Sequence, residues 1–137
     1  MALHPDWRAF IELLNSHGVE YVVVGAFAVA QHGHVRTTGD IDVLVRNSQE
    51  NAERVTRALD AFGMGSLGLR AADFTMSYSV IQLGQAPVRI DILTTCSGVT
   101  FEEVWAGKLM ITIDGVPVNG RITPAARPDG GARVFRR

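Results

Sequence analysis

A chain of 137 residues with 47% apolar side chains is one globular domain's worth of sequence, neither disordered nor large enough for several cores. Its formal charge of −1 divides unevenly. Residues 1–120 carry 8 basic against 13 acidic side chains, a balance of −5, and residues 121–137 carry 5 against 1, a balance of +4. The body is therefore no electrostatic match for a nucleic-acid backbone. No apolar run approaches a membrane span, and His4, Asp6, Arg8 and Glu12 break up what a secretory leader would keep apolar. Cys96 is the single cysteine, which excludes an intrachain disulfide and points to a reducing cytoplasm.

In chain order, Pro5 to Gly18 reads as a helix, with Pro5 and Asp6 at its start and Gly18 as its cap. Trp7, Phe10, Ile11 and Leu14 form its apolar stripe. A strand is expected over 20–24, a helix over 26–33 and a second strand over 40–45. Ser48 is a plausible N-cap for a helix over 49–61, with Ala52, Val55, Leu59 and Phe62 on its buried face. Gly63 to Gly68 is a loop, and two strands over 77–83 and 88–93 are joined by a turn-rich link that predicts a hairpin. A helical turn over 100–106 precedes a strand over 109–113 and a last one over 116–118.

The chemistry concentrates in three places. Gly25-Ala26 follows the first strand at the start of the expected helix, where free backbone N–H groups favour phosphate and glycine permits its close approach. On the second strand, Asp40 and Asp42 alternate with Ile41, Val43 and Val45 and so share one face, about 6–7 Å apart. A core accepts such a pair only with a cation between the side chains or with water on them. Asp91 interrupts the apolar strand 88–93 with Arg89 on its own face, a position open to either an ion pair or a metal ligand. If that strand lies beside the second one, three carboxylates meet, a hard-oxygen set suited to Mg²⁺ or Mn²⁺.

Gly25-Ala26, Arg36-x-Thr38-x-Asp40-x-Asp42 and the apolar-flanked Asp91 together resemble the signature of the nucleotidyltransferase superfamily whose type member is DNA polymerase beta. The likeness covers residues 5–118 and is nearest to small bacterial stand-alone members, including abortive-infection toxins. It implies an α/β nucleotidyltransferase fold, a short mixed sheet with flanking helices, helices mainly on one side and the carboxylates at one edge. By the same resemblance Asp40, Asp42 and Asp91 are catalytic metal ligands for Mg²⁺ or Mn²⁺, and Asp91 also helps deprotonate the acceptor. By the same resemblance Gly25 and Ala26 hold the phosphates of the nucleotide, and Arg36 and Thr38 support the triphosphate or the aspartate loop. The implied activity is transfer of a nucleoside monophosphate from an NTP to a tRNA, a protein hydroxyl or a small molecule such as an aminoglycoside. A cognate toxin or antitoxin is an implied partner, and a membrane is not.

Two features pull against a plain member of that superfamily. The phosphate turn has Gly25-Ala26 in place of the usual Gly-Gly or Gly-Ser. Past Val118 the apolar period stops, where relatives continue into a helix with a Lys and an Arg-x-x-Asp-like segment. Residues 119–137 are accordingly expected to be a disordered, Arg-rich tail of shifted-frame or truncated origin, outside the domain at 1–118. The competing readings are a binding-only domain of the same fold and, more remotely, a glycosyltransferase with an Asp-x-Asp metal site.

Overall fold

The computed structural model describes residues 5–24, 39–65, 68–85, 88–121 and 133–136, and the first helix in it, α1 (Pro5–Ser16), ends as its sequence dictates. Gly18 takes φ +68°, which lets Val19 N–H reach the Leu14 carbonyl at 3.0 Å and Gly18 N–H reach that of Asn15 at 3.2 Å. This is a Schellman closure, and glycine suits it because a Cβ is disfavoured there. It turns the chain directly into β1 (Tyr21–Val24).

The remaining elements are β2 (Gly39–Val45), α2 (Gln49–Ala61), α3 (Ala71–Thr75), β3 (Ser79–Gln85), β4 (Val88–Leu93), α4 (Phe101–Ala106), β5 (Leu109–Ile113), β6 (Val116–Arg121) and β7 (Arg133–Arg136). The strands form one mixed sheet in the order β5-β6-β1-β2-β4-β3-β7. Central β2 pairs antiparallel with β1 and parallel with β4, and β1 pairs parallel with β6. β3 and β4 make the expected hairpin. The Ser48 hydroxyl accepts from Asn51 N–H at 3.3 Å to cap α2, as read from the sequence. No described helix is long and apolar enough to cross a membrane.

One face of the sheet carries the main core. Tyr21, Val23, Ile41, Val43, Ile81, Leu83, Ile90, Ile92, Val116 and Val118 pack there against Trp7, Phe10, Ile11 and Leu14 of α1, Ala52, Val55 and Leu59 of α2, and Phe74 of α3. Phe62 joins by tilting over the Phe10 ring, 5.4 Å between centroids. Buried Asn51 locks this layer in place. Its side-chain amide donates to the carbonyls of Glu20 and Arg46 at 3.0 and 2.8 Å, and its oxygen accepts from Glu20 N–H at 2.8 Å. A buried amide so satisfied ties the start of α2 to the ends of β1 and β2.

Four expectations need correction. The strand pair bearing the carboxylates lies at the middle of the sheet, not at its edge. β3 begins two residues later than read, because Tyr78 takes φ +59° and so stands outside the strand. The short α3 went unread, since five residues carry no helical period and only Phe74 among them is buried. Residues 119–121 and 133–136, read as part of a tail, are strand residues. β7 adds to the free edge of β3, with Val134 and Phe135 opposite Val80 and Ile81. An exposed strand edge supplies hydrogen-bond partners that average composition does not count. The expected helix over 26–33 lies outside the described residues.

Candidate active site

The second face of the sheet is divided crosswise. One row of register partners, Val22, Leu44, Leu93 and Val80, is apolar and packs with Cys96 and Val104. Phe101 and Trp105 of α4 cover that cluster. Two residues along each strand comes the next row: Val24, Asp42, Asp91 and Gln82. Because side chains alternate strictly, both rows belong to the same face, and only the register separates oil from charge.

The parallel pairing of β2 and β4 makes Asp42 and Asp91 direct partners. Strand spacing sets their Cα atoms about 4.8 Å apart, with both side chains on the same face. Asp91 is fully buried. Arg89 grips it from two positions along β4: Nε donates to Oδ1 at 3.0 Å and Nη2 donates to Oδ2 at 3.2 Å. A carboxylate removed from water needs such a charge-assisted fork. The Arg89 side chain keeps 29% of its surface exposed, whereas that of Asp91 keeps none. Asp40 stands opposite Arg89 in register, and its side chain lies outside the described residues, as do Gly25, Ala26, Arg36 and Thr38. The chain leaves β1 for that stretch at Val24, beside Asp42.

The apolar end of this face is anchored from below. Arg46 donates to Glu20 at 2.6 Å and to Glu102, and lies 4.6 Å over the Phe101 ring, tying β2 to α4. Those carboxylates, Glu102 foremost, raise the Arg46 pKa despite some opposing desolvation. Thr100 and Glu103 close a reciprocal cap on α4, at 3.1 and 3.2 Å. Burial pushes the Cys96 thiol up to about 11, with Arg121 pulling it down and Asp42 pushing it further up.

Sequence reasoning singled out Asp42 and Asp91, and the structure brings them together. It missed Gln82, which only the hairpin register places opposite Asp91, and Arg121, which was counted with the tail. No group of three or more His, Cys, Asp or Glu side chains able to hold a metal is present among the described residues. The described donors are the two carboxylates of one row, and their hard oxygens at neighbouring positions fit a divalent cation such as Mg²⁺ or Mn²⁺.

A mixed sheet flanked by helices, with aspartates on two central parallel strands next to the exit of β1, is the fold of the polymerase-beta-like nucleotidyltransferase superfamily. Within it, the chain belongs to the aminoglycoside-2''-adenylyltransferase family, whose model matches residues 7–124. No significant match to the chain is found among curated proteins or among solved structures.

Proposed function

We propose that the chain is a metal-dependent nucleotidyltransferase that moves the adenylyl group of ATP to a hydroxyl of an aminoglycoside-type acceptor. The supporting observation is the register pairing of Asp42 with Asp91 in a chain of this family. The family's name describes a small-molecule acceptor, which ranks that acceptor above a tRNA or protein hydroxyl and above action through a toxin–antitoxin partner. The lone cysteine suits a cytoplasmic setting.

In this reading Asp40, Asp42 and Asp91 supply carboxylate oxygens for Mg²⁺ or Mn²⁺, and Gly25, Ala26, Arg36 and Thr38 hold the phosphates. A bound divalent cation neutralises polyphosphate charge and acidifies the acceptor hydroxyl. Asp91 takes the hydroxyl proton as the acceptor oxygen bonds to the α-phosphorus. The bond from that phosphorus to the bridging oxygen breaks, and pyrophosphate leaves with the electron pair. Arg89 first has to release Asp91, and its half-open position on the surface gives the guanidinium somewhere to go.

A second reading, nucleotide binding without transfer, is favoured by one observation: both oxygens of Asp91 are already engaged by Arg89. ATP labelled at the α-phosphorus, incubated with Mg²⁺ and separately with aminoglycosides, bulk tRNA and a cell extract, separates the two. Label should pass to an aminoglycoside, and Asp42→Asn should slow the transfer at least about a hundredfold, the scale of a metal's charge stabilisation. ATP binding without labelled product from any acceptor supports the second reading and ends the first.

A further inference from the structure

The row that holds the carboxylates extends one strand further than the pair itself. Arg121, the last residue of β6, is the register partner of Val24, which is the partner of Asp42. Arg121, Val24, Asp42 and Asp91 therefore stand side by side on neighbouring strands and share a face, because register partners do. Two strand spacings put the Cα atoms of Arg121 and Asp42 about 9–10 Å apart. Both charges bear on the thiol of Cys96, with opposite effects, which places them around the same spot.

Arg121 behaves unlike Arg89, which stands on the same face two residues from Asp91. Arg89 is committed to Asp91 through a two-pronged bond. Arg121 has no ion pair with a described residue, and its Nη1 is buried without a hydrogen-bond acceptor among the described residues. A buried donor left unmade is costly, more so when charged. Such an atom marks either strain or a ligand's place. The chemistry of a guanidinium selects an anion, and its planar fork matches phosphate oxygens in pairs. The position adds a direction, since Arg121 adjoins Val24 where the chain leaves β1 toward Gly25-Ala26. A polyanion entering an acidic body with a carboxylate row needs such a cation beside the row.

We infer that Arg121 is an anion-binding residue of the site, presenting its guanidinium to the polyphosphate of the nucleotide substrate. The inference rests on the nucleotidyltransferase reading and gives it a residue that the carboxylate motif does not contain. Charge matters here together with fork geometry, so lysine restores part of the function and methionine none.

Calorimetric titration with inorganic tripolyphosphate, and in parallel with ATP and Mg²⁺, tests this on the wild type, Arg121→Met and Arg121→Lys. The methionine variant should bind tripolyphosphate about tenfold more weakly, a loss typical of one charge-assisted contact, and the lysine variant should fall between. The melting temperature of the methionine variant should stay level or rise, because a half-buried guanidinium with no ion pair to a described residue has been replaced by an apolar side chain of similar length. Equal tripolyphosphate affinity in wild type and Arg121→Met overturns the inference and leaves the enzyme reading standing. So does a melting temperature that drops by several degrees in both variants, which would mark a structural arginine. A wild type that binds neither tripolyphosphate nor ATP removes both.

Discussion

The two faces of the central strands are built from the same residue alternation and come out opposite in kind. On the helix side the central rows are apolar: Val23, Val43, Ile92 and Ile81 in one, with Tyr21, Val45, Ile41 and Ile90 in its neighbours. On the other side, the apolar row of Val22, Leu44, Leu93 and Val80 gives way within two residues to Val24, Asp42, Asp91 and Gln82. The first face stabilises the domain chiefly by burial. The second uses half its length to hold the strands in register and the other half to set carboxylates against each other. The charged half rests on the apolar half, because only a pinned register makes Asp42 and Asp91 neighbours.

Substitutions on the two faces should therefore separate stability from activity. Ile92 is wholly buried on the helix side, and Ile92→Ala should lower unfolding free energy by about 2–5 kcal/mol. Asp42→Asn, one position over in the adjacent row, should cost less than about 1 kcal/mol, as one of two adjacent carboxylates is relieved. Urea denaturation of both variants reads this, and comparable losses would erase the distinction between the faces.

A smaller effect should come from the Arg89–Asp91 pair, the place where the charged row is self-stabilised. Arg89→Met leaves a fully buried carboxylate without that counter-charge and should cost about 3 kcal/mol. Added Mn²⁺ should return more of that loss in Arg89→Met than it adds to wild type, because a cation takes the vacated role. Thermal melts with and without Mn²⁺ measure both numbers. A variant as stable as wild type in the absence of metal would mean the pair carries no structural weight.

The smallest effect concerns Cys96, at the border of the two halves. Its thiol is raised from 9.0 to about 11, chiefly by burial, so the folded chain holds its proton where the unfolded chain has lost it. With more protons bound in the folded state, stability falls as pH rises through the window from 9 to 11. Below pH 9 both states are protonated and the group is silent. Alkylation of Cys96 at pH 9 should correspondingly be slower in the native than in the denatured protein, and equal rates would show the thiol to be open to solvent.

Much of this was legible in the residues, for reasons that differ from element to element. α1 and α2 were readable because Pro5, Gly18 and Ser48 mark their ends and Trp7, Phe10, Ile11, Leu14, Ala52, Val55 and Leu59 mark their faces. β4 was read to the residue, since Asp91 and Arg89 stand out against alternating Val88, Ile90 and Ile92. Asp42 and Asp91 could be suspected as partners, but their pairing depends on β2 and β4 being parallel neighbours, which no local pattern encodes. Arg121 was hidden for a similar reason. Judged by its neighbours in sequence it belonged to a polar tail, and only its neighbour in space, Val24, puts it in the carboxylate row. The residues proposed for the phosphates, Gly25, Ala26, Arg36 and Thr38, rest on the motif alone.

The register of β2 against β4 also has a consequence in time. Asp42 and Asp91 are 49 residues apart in sequence, and the β1–β6 pairing that adds Arg121 joins Val23 to Gly120, 97 residues apart. Such distant pairings carry the largest loop-closure entropy and form late, after local helices and the β3–β4 hairpin can already exist. The candidate site is thus assembled from some of the least local contacts in the molecule. A growing chain on the ribosome holds Asp42 well before Asp91 has been made, so it has no paired carboxylates until β4 is synthesised and docked.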